Sequence, residues 1–290
     1  QLLSFHSLAE RDAVLSGRFS LWREGAVRCV MELRGMTPDD ARAWISELAS
    51  GGTTTKAFYR MLQDLAYPRM LVDKSPAYAM DTDALRRAER DFDGALYVHL
   101  VRHPYAMVRS FVDRRLDQVM LLQPHAFRPR ELGELVWVVS HQNVNAFLRD
   151  VPTERWYRLR YEDLVESPRG SMMQLCERFG LPFHEGLLQP YRDLDRKMVG
   201  GVYAGSTPMG DPKFLEYHGI ATEPAAAWQA VLTDDFLGDV TWALACEFGY
   251  DRAVAGAGRD GLRARDRTGG DRSRREEARR AIRAAEAEED

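Results

Sequence analysis

The sequence is short of the features that would place it in several large protein classes. Its three cysteines, Cys29, Cys176 and Cys246, are odd in number and far apart, which argues against a disulfide framework and for buried thiols in a reducing compartment. No Cys/His cluster has the spacing of a metal site. No apolar run approaches the roughly 18 residues of a membrane span, and no charged, apolar and small-residue order at the front resembles a signal peptide. Charge of one sign is lacking too. Lys and Arg number 40 against 44 Asp and Glu, a net charge of −4, so no overall field draws the chain to nucleic acid or to an anionic membrane. Any anion must be held locally. These absences predict a cytoplasmic protein with neither a metal nor a nucleic-acid partner.

What is present is globular. A chain of 290 residues with 45% hydrophobic and 29% charged side chains supports one large domain or two small ones. There is no internal repeat and one shift in composition, near residue 255. Over 256–290 Leu262 and Ile282 are nearly the only aliphatic side chains able to leave water. That stretch is expected to be a charged linker or tail, disordered or a solvated helix, and residues 1–255 the folded domain. The chain opens at Gln1 inside an apolar phrase, Leu2-Leu3-Ser4-Phe5, and is expected to be a piece of a longer polypeptide.

Three β-like runs, 69–73, 95–101 and 156–161, are apolar or alternating. Helix-length segments surround them and carry start signals: Thr37 before Pro38, Asp81 or Thr82 before Ala84, and prolines at 104 and 168. Strands alternating with helices predict an α/β fold, a parallel sheet flanked by helices on both faces with ligands at the carboxyl ends of the strands. The informative residues should therefore follow the strands. After the first run comes Asp73-Lys74-Ser75-Pro76, where Lys74 either faces a ligand or is a solvated strand-end lysine. The second run delivers Arg102-His103-Pro104 and a helix carrying Ser110. A planar fork of donors, a helix N-terminus and a hydroxyl form a phosphate-site layout; the alternative is Arg102 paired with a carboxylate and Ser110 against a neighbouring helix. The third run ends at Tyr161-Glu162-Asp163. Tyr161 there either covers a purine ring or is core, and Glu162 and Asp163 are open to pairing with Arg158 or Arg160.

Taken in order, DKSPAYA, LVRHPYAMVRSF and LRYEDLVESP resemble the sulfotransferases that use 3′-phosphoadenosine 5′-phosphosulfate (PAPS), and in particular the sulfotransferase domains of modular polyketide synthases. The resemblance covers roughly residues 1 to 245. It implies a P-loop-NTPase-like fold and transfer of a sulfuryl group from PAPS to a hydroxyl, with adenosine 3′,5′-bisphosphate as the product. The β-hydroxyl of an acyl chain on a carrier protein is one such acceptor. By resemblance Arg102 and Ser110 bind the 3′-phosphate, Tyr161 lies beside the adenine, and the segment 200–213, with Gly210 and Asp211 in a turn, folds over the 3′-phosphate. Lys74 faces the sulfuryl group or the acceptor oxygen. His218 is the candidate general base, although the relatives place the histidine where this chain has Tyr217. His103 is expected to orient the turn before Pro104, whereas His6, His99, His125, His141 and His184 lack partners by spacing.

The family's first strand, its Gly-rich phosphosulfate loop and an acidic residue just before the opening phrase are absent from this sequence, so the fragment alone is expected to be inactive. Gly51-Gly52-Thr53-Thr54-Thr55-Lys56 is no substitute. It follows a helix rather than a strand and lacks the P-loop spacing; the glycines read as a helix stop and Thr53 or Thr54 as the next cap. Trp137, Trp242, Met172 and Met173 read as core. Arg114 and Arg115 read as solvated helix charges, with contact to a phosphopantetheine arm as the alternative. A competing function is a catalytically inactive nucleotide-binding or interaction domain. A nucleotide kinase would need a Walker lysine and Mg²⁺-binding carboxylates that the sequence does not show.

Overall fold

Helix starts fall where the capping residues place them. The computed structural model describes residues 2–117, 126–192, 219–220 and 236–252. Two compact units divide the chain, Gln1–Ala95 with His184–Ile220 and Leu96–Phe183 with Ala221–Asp290. The first contains α1 (Leu8–Val14), α2 (Glu24–Arg34), α3 (Pro38–Ser50), α4 (Thr55–Ala66) and α5 (Thr82–Asp91). Side chains of Thr37, Thr54 and Asp81 accept the N–H groups of Asp40, Ala57 and Ala84 at 3.2, 3.1 and 3.0 Å, each satisfying a first-turn donor that the helix cannot. Gly51 closes α3, and Gly52 follows at φ 76°. Leu8, Val30, Ile45, Phe58 and Leu62 form the core of this unit.

The run 69–73 is not a strand. It has no regular secondary structure and no ladder partner among the described residues, and Met70 and Val72 are 56% and 80% exposed. Apolar content does not make a strand without a neighbouring backbone to take its N–H and C=O groups. Side chains fix this segment instead. Asp73 accepts the hydroxyls of Tyr59, of Tyr78 at 2.7 Å and of Ser75 at 3.1 Å.

The second unit contains β1 (Tyr97–Val101), α6 (Pro104–Asp113), α7 (Pro129–Leu148), β2 (Trp156–Arg160), α8 (Tyr161–Glu166), α9 (Pro168–Arg178) and α10 (Asp239–Glu247). β1 and β2 pair in parallel, Tyr97 opposite Trp156 through Val101 opposite Arg160, an arrangement that needs a crossover and obtains it from α6 and α7. Val101 packs with Trp137 of α7 and with Trp242 and Ala245 of α10 on one face. On the other face Tyr157 reaches Gln174 of α9 at 3.1 Å. The fold is therefore α/β with a helix-flanked parallel sheet, though with two strands rather than three among the described residues.

Two further expectations need correction. Cys176 is buried, but Cys29 is half-buried and Cys246 exposed. Trp137 and Trp242 are core, whereas Met173 is 49% exposed on α9. Among the described residues no helix is long and apolar enough to cross a membrane. His218, Gly210, Asp211 and the stretch 256–290 lie outside the described residues.

Candidate nucleotide site at the strand ends

Parallel register brings two of the expected residues together. Because Val101 faces Arg160, the residues that follow, Arg102 and Tyr161, leave the sheet side by side. The guanidinium carbon of Arg102 lies 4.6 Å from the centre of the Tyr161 ring, within range of a cation–π contact. Tyr161 thus serves as a platform for the arginine. Ser110 projects from the second turn of α6, the helix whose first residue is Pro104, and is half-buried.

The turn between β1 and α6 is held on both sides. The indole N–H of Trp137 donates to the carbonyl of Arg102 at 3.0 Å, and the backbone N–H of His103 donates to Glu162 Oε1 at 2.9 Å. Tyr250, beyond α10, donates its hydroxyl to Glu162 Oε2 at 2.6 Å. The His103 ring is stacked on Tyr105, with centroids 5.7 Å apart, and meets the edges of Tyr250 and Trp242. Burial, with help from the Arg160 charge, pushes its pKa down to about 3. The imidazole is neutral near pH 7 and packs the turn, the orienting part expected of it.

The carboxylates of the YEDL phrase have separate roles. Asp163 lies 3.9 Å from Arg160 Nε, as one of the expected pairings had it. Glu162 takes the N–H of His103 and the hydroxyl of Tyr250 instead, a role that local spacing does not suggest because Tyr250 is 88 residues away. Arg158 reaches His99 Nδ1 at 3.3 Å and Asn145 Oδ1 at 2.7 Å.

Two histidines expected to have no partner have each other. His99 Nε2 and His141 Nδ1 are 2.8 Å apart between β1 and α7. Burial first, then the neighbouring ring and Arg158, pushes His99 down to about 2, and burial and Arg158 push His141 down to about 3. His6 meets Arg87 at 3.1 Å, and His184 Nδ1 accepts the N–H of Gly186 at 2.9 Å. Spacing missed these pairs because each joins separate elements or closes a local turn.

Lys74 belongs to the first unit and is exposed. Its backbone is tethered through Asp73, whose partner Tyr78 also accepts the N–H of Leu3 at 3.1 Å. Desolvation and the Asp73 carboxylate push the Tyr59 and Tyr78 hydroxyls well above the ordinary tyrosine range, so both remain donors. Arg115, just past α6, has φ 50°, and residues 118–125 that follow are outside the described residues.

With this geometry in place, comparison with known proteins is specific. Residues 11–185 match the Sulfotransferase family. The sulfotransferase domain from the curacin biosynthetic pathway superposes with a TM-score of 0.79 at 36% identity, covering 86% of each chain. The corresponding domain from the Synechococcus PCC 7002 olefin synthase gives 0.76 at 34%, over 87% of this chain and 83% of that one. Among curated proteins, the omega-hydroxy-beta-dihydromenaquinone-9 sulfotransferase Stf3 of Mycobacterium bovis is 23% identical over 156 residues, as is that of Mycobacterium tuberculosis. That match spans 52% of this chain and only 37% of the curated relatives' length. A parallel sheet that delivers an arginine to a helix N-terminus, matched over most of the chain in fold and over more than half of it in sequence, places this chain in the sulfotransferase family.

Proposed function

We propose that the chain is part of a domain that transfers a sulfuryl group from PAPS to a hydroxyl, with an acyl chain on a carrier protein as the acceptor, and that it needs the family's phosphosulfate loop to do so. The observation that carries this reading is Arg102 at the end of β1, immediately before the N-terminus of α6 and supported by the Tyr161 ring. A guanidinium fork, first-turn N–H groups and the Ser110 hydroxyl suit a phosphate monoester such as the 3′-phosphate that distinguishes PAPS from ordinary adenylates. The carrier-bound acceptor rests on the resemblance of the sequence phrases to sulfotransferase domains of modular polyketide synthases.

In the reaction a bond forms between the acceptor oxygen and sulfur while the bond from sulfur to the 5′-phosphate oxygen breaks. Adenosine 3′,5′-bisphosphate leaves and the acceptor proton passes to a base. Protein groups in such a displacement position the reactants and offset charge on the leaving oxygen. By that resemblance Arg102 and Ser110 anchor the nucleotide, Gly210 and Asp211 belong to the loop over it, Lys74 faces the sulfuryl group or the acceptor oxygen, and His218 receives the proton. An imidazole suits that last step because it titrates near neutral pH.

Calorimetry with adenosine 3′,5′-bisphosphate tests the assignment. Arg102→Ala is expected to weaken binding by about 1.5–3 kcal/mol, the value of a charge-assisted donor pair, and Ser110→Ala by less. Adenosine 5′-phosphate should be indifferent to both changes. Equal bisphosphate affinities for wild type and Arg102→Ala would remove the 3′-phosphate from this site.

A further inference from the structure

An acidic side chain beside a site for a dianion works against binding unless it is committed elsewhere, and Glu162 is committed at both oxygens. Oε1 accepts the backbone N–H of His103 at 2.9 Å, and Oε2 accepts the Tyr250 hydroxyl at 2.6 Å. His103 is the N-cap of α6, and no side-chain bond of its own caps the helix. In a capping box the glutamate of the first turn reaches back to the N-cap N–H; here a carboxylate from the first turn of α8 does so. The same three-residue turn carries Arg102, whose carbonyl is held by Trp137 and whose guanidinium lies over Tyr161. Tyr250 is 3% exposed, and its ring is covered by the Arg160 guanidinium, 4.5 Å from the ring centre. Its hydroxyl is therefore aimed by packing. A Schellman turn delivers it: Gly249 at φ 81° donates to Cys246, and Tyr250 donates to Ala245.

We propose that Glu162, locked by the Tyr250 hydroxyl, is a positioning residue that fixes the Arg102 turn for a 3′-phosphate and so sets the preference for a 3′,5′-bisphosphorylated adenosine over its 5′-monophosphate. This rests on the nucleotide reading above. Neither residue touches the ligand. The clamp acts by keeping Arg102 and the start of α6 in the geometry that receives the phosphate, so that binding does not have to order them.

The test is the ratio of affinities for adenosine 3′,5′-bisphosphate and adenosine 5′-phosphate, measured on the full chain. Glu162→Ala should reduce that ratio by about tenfold, and Tyr250→Phe by about threefold, as expected for loss of one or both bonds around a carboxylate. Glu162→Gln keeps one oxygen for the His103 N–H and should recover most of the preference. A lower melting temperature alone would not mimic this pattern, since general destabilisation weakens both ligands alike. If Glu162→Ala does not fold, Tyr250→Phe decides, because it removes only a hydroxyl and keeps the ring contacts. A wild type that prefers the bisphosphate and a Tyr250→Phe variant with an unchanged ratio would overturn the clamp and leave the nucleotide reading standing. A wild type without the preference would overturn the nucleotide reading itself.

Discussion

Asp73 shows at the scale of one residue how a motif can be legible while its physical role is not. The phrase Asp73-Lys74-Ser75-Pro76 stands out in the sequence, and Lys74 draws the attention because a cation suits an anionic substrate. The structure gives the neighbouring carboxylate a larger share of the structural work, with three hydroxyls converging on it from Tyr59, Ser75 and Tyr78. Nothing in local spacing reveals Tyr59 as a partner, because it arrives from α4, 14 residues upstream. Asp73→Ala leaves the two tyrosine hydroxyls without their acceptor, and loss of a partner from part-buried groups costs about 1–3 kcal/mol each before relaxation. The expected result in urea unfolding is a loss of about 2–4 kcal/mol. Lys74→Ala, an exposed neighbour, should stay within about 0.5 kcal/mol of wild type. Equal midpoints for the two variants would show that the hydroxyls find water instead.

At the scale of elements, the helix signals were readable and one strand was not. Thr37, Thr54, Asp81, Pro104 and Pro168 mark helix starts because capping is a local contract, settled within three or four residues of chain. The run 69–73 depends on a partner strand that its own residues do not specify, and it is irregular backbone instead. For the same reason Arg102 and Tyr161 were legible one at a time, while their stacking required the parallel register of β1 on β2. The end of α10 is an element whose geometry rests on one residue. Gly249 sits at φ 81°, where a Cβ costs about 1 kcal/mol. An added Cβ would meet its nearest neighbour, Arg160 Nη1, at 3.6 Å, an ordinary contact, so the cost lies in the backbone. Gly249→Ala should therefore lower stability by about 1 kcal/mol in chemical denaturation. Gly180→Ala, at φ 62°, should cost a similar amount; a neutral Gly249→Ala would mean that the Schellman turn relaxes at no expense.

The molecule as a whole inherits an acid limit from residues that do no chemistry. His99, His141 and His103 are buried and neutral, with pKa values pushed down to about 2, 3 and 3 from 6.5, chiefly by desolvation. Unfolding returns each imidazole to water, where it takes up a proton below pH 6.5. Between pH 6.5 and about 3 the unfolded chain therefore binds protons that the folded chain refuses, and stability falls as the pH falls. Each such histidine contributes a slope of up to about 1.4 kcal/mol per pH unit, or about 2 kcal/mol on going from pH 7.5 to 5.0. Above about pH 7.5 the contribution is constant, because both states are then neutral. Between pH 5 and 7.5 ordinary carboxylates remain ionised, which leaves histidine as the main titrating side chain. Urea titrations at pH 7.5 and 5.0 should thus show a marked loss of stability at the lower pH. His141→Gln removes one of the three groups, and with it the like-charge contact across 2.8 Å that His99 would meet on protonation. That variant is expected to be less stable at pH 7.5, where it gives up the packing of His141 against Trp137 and Phe248, yet to lose less on acidification. A wild type equally stable at both pH values would show that these rings are protonated or solvated in the folded state, and an unchanged slope in His141→Gln would move the acid limit to other groups.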